Sequence, residues 1–393
     1  MSIKEKRVIA LIDCDCFFVS CERVDDPDLL EKPVCVVTSC GNRGIVVSRS
    51  NEAKKLGIKM GMSLFQMTPD QKKARFIPVR HARYAELSEQ IIDILREFTP
   101  QVEVVSIDEA YVDLTGMNKY YGVSYRNLVR KIRQNILDRV KIPVSIGIST
   151  SKILAKLASD QAKKSGGIFV ISSKNRQQVL NSVSLNEICG IGKQTIALYR
   201  KKGIETISEF LNRDIIWIQK TLGMNAERLW YELSGRCLSD VSSKVQLPKS
   251  IQDTKSFSIF SNDLNVLIQS VIDHIHCASR RLRKLDGYCK NIEVILKTKD
   301  FKEIKKNMNL IPPTNSELTL IKNAVYLIQN MYQKGILYRS VGVSLNNLDF
   351  DVLIQPSLFE MAERENDVLS HLIDTIETKF GKNMLRWGQG ADL

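Results

Sequence analysis

Gln101-Val-Glu-Val-Val-Ser-Ile-Asp-Glu-Ala-Tyr-Val-Asp-Leu-Thr-Gly116 is the stretch from which the fold is read. Val102 and Val104, then Ala110, Val112 and Leu114, alternate with other residues, which predicts two half-buried strands joined as a hairpin. Between them stand Asp108 and Glu109, adjacent carboxylates with no Lys or Arg beside them in sequence. Adjacent anions repel, and burying them unpaired raises their pKa or costs stability. A divalent cation removes that penalty, because hard Mg2+ prefers carboxylate oxygens. A charged turn on a solvated hairpin is the competing reading. A third carboxylate at the end of another strand decides between the two.

The N-terminal run Arg7-Val-Ile-Ala-Leu-Ile-Asp13 supplies one. A continuous apolar run predicts a buried central strand that releases its functional side chain, here Asp13, at its end. Asp13 with Asp108 and Glu109 would form the carboxylate cage of a two-metal phosphoryl-transfer site. Strands are predicted at Pro33–Val37, Gly44–Ser48 and Pro143–Ser149, and helices at Ser50–Leu56, at His81–Phe98 and over Tyr125–Leu137. With roughly residues 14–79 set aside as an insertion, the order is strand, helix, strand, strand, helix, strand. That is the split βαβ, ferredoxin-like arrangement, in which the first strand can lie beside the hairpin.

At 393 residues the chain implies two to four domains, and 44% hydrophobic residues imply a globular one. Lys and Arg number 57 against 44 Asp and Glu, a formal charge of +13 that favours a polyanionic partner, nucleic acid before membrane. Nine cysteines without framework spacing, no signal peptide and no membrane-length apolar run predict reduced thiols in a cytoplasm. Cys14-x-Cys16 and Cys35-x4-Cys40 read poorly as metal ligands, and His274 and His276 read as ordinary helix residues.

A helix over Lys152–Lys164 carries Lys152, Lys156 and Lys163 within roughly 40° of one another at the 3.6-residue period. They form either a solvated basic face or a grip on a triphosphate held against metals. Ile188-Cys-Gly190-Ile-Gly192-Lys193 before a helical run reads as a helix-hairpin-helix whose glycines admit a DNA phosphate, with an ordinary tight turn as the alternative. After a polar linker at Ser242–Lys249, helices at Leu264–Leu285 and Ser316–Gln333 and strands about Ile292–Leu296 and Val341–Leu345 predict a further α+β unit. Ten basic residues, beginning with Arg280, Arg281 and Arg283, stand against four acidic ones between Arg280 and Lys306. This suits groove-tracking along phosphates, while the sparse aromatics there disfavour base stacking. Gln355-Pro-Ser-Leu358-Phe359 is an extended segment before a helix over Glu363–Phe380. It reads either as a docking peptide or as a linker.

Taken together, Ile12-Asp13 with Phe17-Phe18, the block Ser48–Gly61, Ser106–Tyr111, Gly147–Ser149 with Lys152–Lys156, and Gly190-Ile-Gly192 resemble the Y-family translesion DNA polymerases. They occur in family order over nearly the whole chain. The Arg49–Lys54 block, the Lys255-Ser-Phe257 segment and the C-terminal extension are most similar to the UmuC branch. The resemblance implies an α+β, multidomain right-hand fold. Its parts would be a ferredoxin-like palm (1–13 and 80–170), small fingers (14–79), a helical thumb with the helix-hairpin-helix (171–241), a linker (242–248), an α+β little finger that binds DNA (249–348) and a tail (349–393).

It further implies two Mg2+ ions on Asp13, Asp108, Glu109 and the Cys14 carbonyl, and nucleotide contacts from Phe17, Phe18, Ser48, Lys54 and Lys163. Phe18 would be the steric gate against ribose. DNA contacts would come from Gly190, Gly192, Lys193, Arg280, Arg281 and Arg283, and a sliding clamp would be held by Gln355, Leu358 and Phe359. Lys54 stands where many relatives carry Arg, so a bidentate phosphate grip is lost there. The implied activity is template-directed dNTP addition to primer-template DNA past damaged bases, in repair and SOS mutagenesis, with a UmuD′-like dimer and a RecA-type recombinase as further partners. A stand-alone DinB-type polymerase, a catalytically idle DNA- and clamp-binding module and a nucleotide cyclase are the alternatives weighed. The cyclase leaves the glycine hairpin and the basic last unit unexplained.

Overall fold

The computed structural model describes residues 7–41, 43–244, 247–351 and 361–381. The chain divides into two units, Met1–Val245 and Gln246–Leu393. Strands described in the first are β1 (Ile9–Cys14), β2 (Val34–Val37), β3 (Val46–Arg49), β4 (Arg75–Pro78), β5 (Val102–Val104), β6 (Glu109–Asp113), β7 (Val144–Ser149) and β8 (Ile168–Val170). Five of them form one sheet in the order β5-β6-β1-β7-β8, and β1 runs antiparallel to both its neighbours. The segment β7-β1-β6-β5, with the helices His81–Phe98 and Tyr125–Val140 as crossovers, is the ferredoxin-like arrangement expected from the sequence.

Burial on both faces explains why β1 is apolar up to Asp13. Ala10 and Ile12 join Val112 and Ile146 in a core with Ile91, Leu95, Leu128 and Ile132 of the two crossover helices. Ile9 and Leu11 point to the opposite face, where Ala155 of the helix Lys152–Ala162 covers them. Asp13 continues that second set, so the period of two directs it toward the lysine-bearing helix. Gly147 on β7 lets this helix lie against the sheet. A Cβ there would stand 2.1 Å from the Ser159 nitrogen and 2.2 Å from the Ala155 carbonyl oxygen. Strands β2, β3 and β4 form a separate three-stranded sheet in the order β3-β2-β4, with its own core about Val37, Val46, Ala53 and Ile58.

The second unit is a four-stranded antiparallel sheet of β9 (Ser250–Ser261), β10 (Tyr288–Thr298), β11 (Glu303–Thr314) and β12 (Tyr338–Asp349), in the order β11-β10-β12-β9. Ile292, Val294 and Leu296 of β10 and Val341, Val343 and Leu345 of β12 face the helices Leu264–Arg283 and Glu317–Gln329. The edge strands β9 and β11 were not expected from the sequence. Each is exposed along most of its length, so neither shows the alternation of a strand with one buried face. The helix Met361–Phe380 closes the described part of the chain.

Candidate active site

Asp13 and Glu109 are directly paired Cα neighbours across β1 and β6. Asp108 sits one residue before β6, where the Ser106 hydroxyl donates to its Oδ1 at 2.6 Å. The Cys14 amide donates to the Asp108 carbonyl at 2.9 Å, which ties the hairpin turn to the end of β1. Three carboxylates separated by almost a hundred positions in the sequence therefore meet at one end of the sheet. A fourth, Asp15, is turned aside, accepting from the Ser145 hydroxyl at 2.9 Å, and burial pushes its pKa up.

The lysines divide. Lys152 is spent on Glu103 at 2.7 Å and on the Asp240 carbonyl at 2.9 Å. Lys156 Nζ lies 2.7 Å from Asp13 Oδ2 and 2.7 Å from Glu109 Oε2. Lys163, just past the helix, reaches Asp13 Oδ1 at 2.9 Å. Burial works against the charge on Lys156 and on Lys163, yet their hydrogen bonds and charge pairing with Asp13, and for Lys156 also with Glu109, raise both pKa values and keep them protonated. Of the three basic-face candidates only Lys156 touches two of the carboxylates, a role that helical spacing alone did not single out.

Asp13, Cys14 and Asp108 line a cavity of about 390 Å³, with Lys163 beside them. Phe17, Phe18, Ser48 and Lys54 complete the walls. Phe18 is stacked on Tyr84, with centroids 4.5 Å apart and planes 19° apart, which fixes its ring against the helix His81–Phe98. Ser48 comes from β3. Lys54 comes from the helix Asn51–Lys55, capped by the Ser50 hydroxyl. Lys54 Nζ donates to Asn51 Oδ1 at 3.0 Å and to Cys16 Sγ at 3.3 Å. The cavity thus has an acidic floor and a basic, hydroxyl-bearing wall, the arrangement a metal-bound polyphosphate requires. The donors are hard oxygens suited to Mg2+. Among the described residues, however, no three acidic, His or Cys side chains are gathered as a finished metal cluster, because Asp13 and Glu109 are turned to Lys156.

The model of the impB/mucB/samB family matches residues 12–160, and the model of that family's C-terminal domain matches residues 248–358. The chain belongs to the impB/mucB/samB family. It is similar to "DNA polymerase IV 1" of Halalkalibacterium halodurans, 30% identical over 98% of this chain and 94% of the relative. "Protein UmuC" of Salmonella typhimurium is 29% identical over 98% of this chain and 94% of its own length. Among solved structures, a Y-family DNA polymerase chimera, Dbh-Dpo4(243-245)-Dbh, superposes with a TM-score of 0.74 at 26% identity, covering 88% of this chain and all of that one. An insertion ternary complex of Dbh DNA polymerase gives 0.59 at 27% identity over 88% of this chain and all of that one. This impB/mucB/samB chain is a Y-family DNA polymerase, and so a DNA-directed enzyme.

The other expected contacts of this impB/mucB/samB polymerase are less uniform. Gly190 holds φ +91, a left-handed conformation that suits glycine, and Gly192 caps the helix Lys193–Lys201. The last-unit arginines lie on the helix Leu264–Arg283, as expected from the sequence. Only Arg281 among the three is exposed, donating to the Gln252 carbonyl at 3.1 Å. Arg283, with its side chain 2% exposed, pairs with Asp374 at 2.6 Å and Glu317 at 3.2 Å, and Arg280 pairs with Glu377. Those two arginines hold the helix Met361–Phe380 in place instead of facing a phosphate, because buried carboxylates claim them. Gln355, Leu358 and Phe359 lie outside the described residues. No described helix is long and apolar enough to cross a membrane.

Proposed function

We propose that the chain is an error-prone translesion polymerase that adds dNTPs to primer-template DNA past damaged bases, in DNA repair and SOS mutagenesis. The observation that supports this best is the convergence of Asp13, Asp108 and Glu109 at one end of the sheet, with Asp13 and Asp108 lining a cavity whose walls carry Ser48, Lys54 and Lys163. Asp13, Asp108 and Glu109, with the Cys14 carbonyl, would hold two Mg2+ ions. Bound there, the ions would lower the pKa of the primer 3′-hydroxyl and neutralise charge on the triphosphate.

In this reading Ser48, Lys54 and Lys163 bind the phosphates, and Phe18 lies under the sugar and rejects a 2′-hydroxyl. Lys156 and Lys163 balance the carboxylates between turnovers. Residues 1–13 and 80–170 serve as palm, 14–79 as fingers, 171–241 as thumb and 249–348 as little finger. Gly190, Gly192, Lys193 and Arg281 are the DNA-backbone contacts, and Gln355, Leu358 and Phe359 bind a sliding clamp.

Within the family we assign the UmuC type, which would require a UmuD′-like dimer and a RecA-type recombinase. The similarity to proteins named DNA polymerase IV favours a stand-alone DinB-type enzyme as the second reading. Primer extension across a defined abasic site separates them. Bypass by the chain alone supports the DinB type, and bypass only with both partners supports the UmuC type. No extension on undamaged template under any condition would remove the catalytic reading.

A further inference from the structure

The hairpin joining β10 to β11 turns through Lys299, Asp300 and Phe301. The Phe301 amide donates to the Thr298 carbonyl at 3.0 Å and the Thr298 amide to the Lys302 carbonyl at 2.9 Å. Phe301 has φ 65. Three-residue hairpin loops place a left-handed residue at this point, and glycine is its usual occupant. A phenylalanine there is strained, and burial gives no return, since the residue is 62% exposed. The turn itself would be better served by glycine. The ring therefore serves something beyond the turn.

Its surroundings indicate what. The Arg339 guanidinium carbon lies 4.4 Å from the Phe301 ring centroid and 5.8 Å from that of Phe260, and Lys297 Nζ lies 5.8 Å from Phe301. Phe260 arrives from the edge strand β9. The β12–β9 ladder slips between Ser340↔Ser256 and Tyr338↔Ser261, so Phe257–Phe260 bulge opposite Arg339 alone. The result is a row of aromatic ring, guanidinium and aromatic ring at one end of the sheet. The exposed Lys299 and Lys302 flank Phe301. The sequence, with aromatics sparse near the basic stretch, gave no hint of it, because Phe260 and Phe301 stand 41 positions apart.

A flat π surface edged with cations fits a ligand that alternates flat rings with anions. We propose that this row is a stacking platform for single-stranded DNA, with an unpaired base on Phe301 and the neighbouring phosphates on Lys299 and Lys302. Duplex DNA hides its base faces and offers only phosphates. The inference rests on the reading of DNA as this chain's partner, and the test keeps the two separable.

The full chain is titrated with a fluorescent oligodeoxythymidylate, with a blunt duplex and with a primer-template, at fixed salt. Phe301→Gly should weaken single-strand binding roughly tenfold, the size of one lost base–aromatic stack, leave the blunt duplex unchanged, and leave the thermal midpoint equal or higher because the strained turn is relieved. Phe301→Trp should retain single-strand affinity. Unchanged single-strand affinity in Phe301→Gly, or an equal loss on blunt duplex, overturns the platform. So does a wild-type chain that binds primer-template but no single strand. A wild type that binds none of the three overturns the DNA-partner reading itself.

Discussion

Asp13 and Glu109 face one another across the β1–β6 ladder, and a single ammonium, Lys156 Nζ, lies 2.7 Å from an oxygen of each. With Lys163 also on Asp13, two of the three carboxylates share two lysines, while Asp108 is held by the Ser106 hydroxyl.

Removing the shared cation should make the fold depend on magnesium. Lys156→Met leaves two adjacent anions facing each other in a partly buried site, a loss of about 1–3 kcal/mol after allowing for partial exposure. At about 2–4 °C per kcal/mol for a unit of this size, the midpoint should drop by several degrees in EDTA and recover on adding Mg2+. A midpoint equal to wild type in EDTA would show that Lys156 is not the counter-ion.

Asp108→Ala should abolish primer extension, lowering the rate by at least about a hundredfold, since loss of an outer-shell group alone costs 10–100-fold. Affinity for primer-template should stay near wild type, because Asp108 is held only by Ser106 and by backbone. Full extension by the variant would remove the catalytic assignment.

Sugar discrimination should depend on a stacked pair rather than on one ring. Phe18→Ala should raise ribonucleotide incorporation by roughly 10–200-fold, the range for a changed pocket contact. Tyr84→Ala should raise it less, by freeing the Phe18 ring from its stack. Steady-state incorporation of ribo- and deoxynucleotides reads both, and unchanged ratios in Phe18→Ala would exclude the gate.

His276 gives the second unit a pH signature. Its Nδ1 lies 2.8 Å from Glu317 Oε1 and its Nε2 3.1 Å from Glu377 Oε1, with Arg280, Arg283 and Asp374 completing the charged surroundings. The hydrogen bond that His276 donates to Glu317 leads in raising its pKa, against the opposing effect of burial. A raised folded pKa contributes stability that is complete below the unfolded value, about 6.5, and is lost as pH rises through the folded value. The unfolding free energy from pH 6 upward should therefore fall by up to roughly 1.4 kcal/mol per pH unit over that window, and the thermal midpoint with it. His276→Gln should flatten the profile, and an identical slope in the variant would assign it elsewhere.

Much of the catalytic end was legible in the sequence, because strands that bury both faces or one face announce themselves by apolar runs or by alternation. Asp13, Asp108 and Glu109 could be placed from those patterns alone. Lys156 could not be separated from Lys152, since helical spacing gives a direction but not the partner that waits there. Arg283 looked like a phosphate contact because its claimants, Glu317 and Asp374, lie 34 and 91 residues away. His276 looked ordinary for the same reason. The edge strands β9 and β11 escaped because they are exposed along most of their length and interrupted by register shifts, so no buried face marks a period.

Gly147 carries the last consequence. No methyl group fits between β7 and the helix Lys152–Ala162, so that helix lies directly against the sheet. Asp13 and its partner Lys156 thus stand on two closely packed elements. Gly147→Ala should therefore disturb that pairing while leaving the opposite wall, β3 and the short helix bearing Lys54, in place.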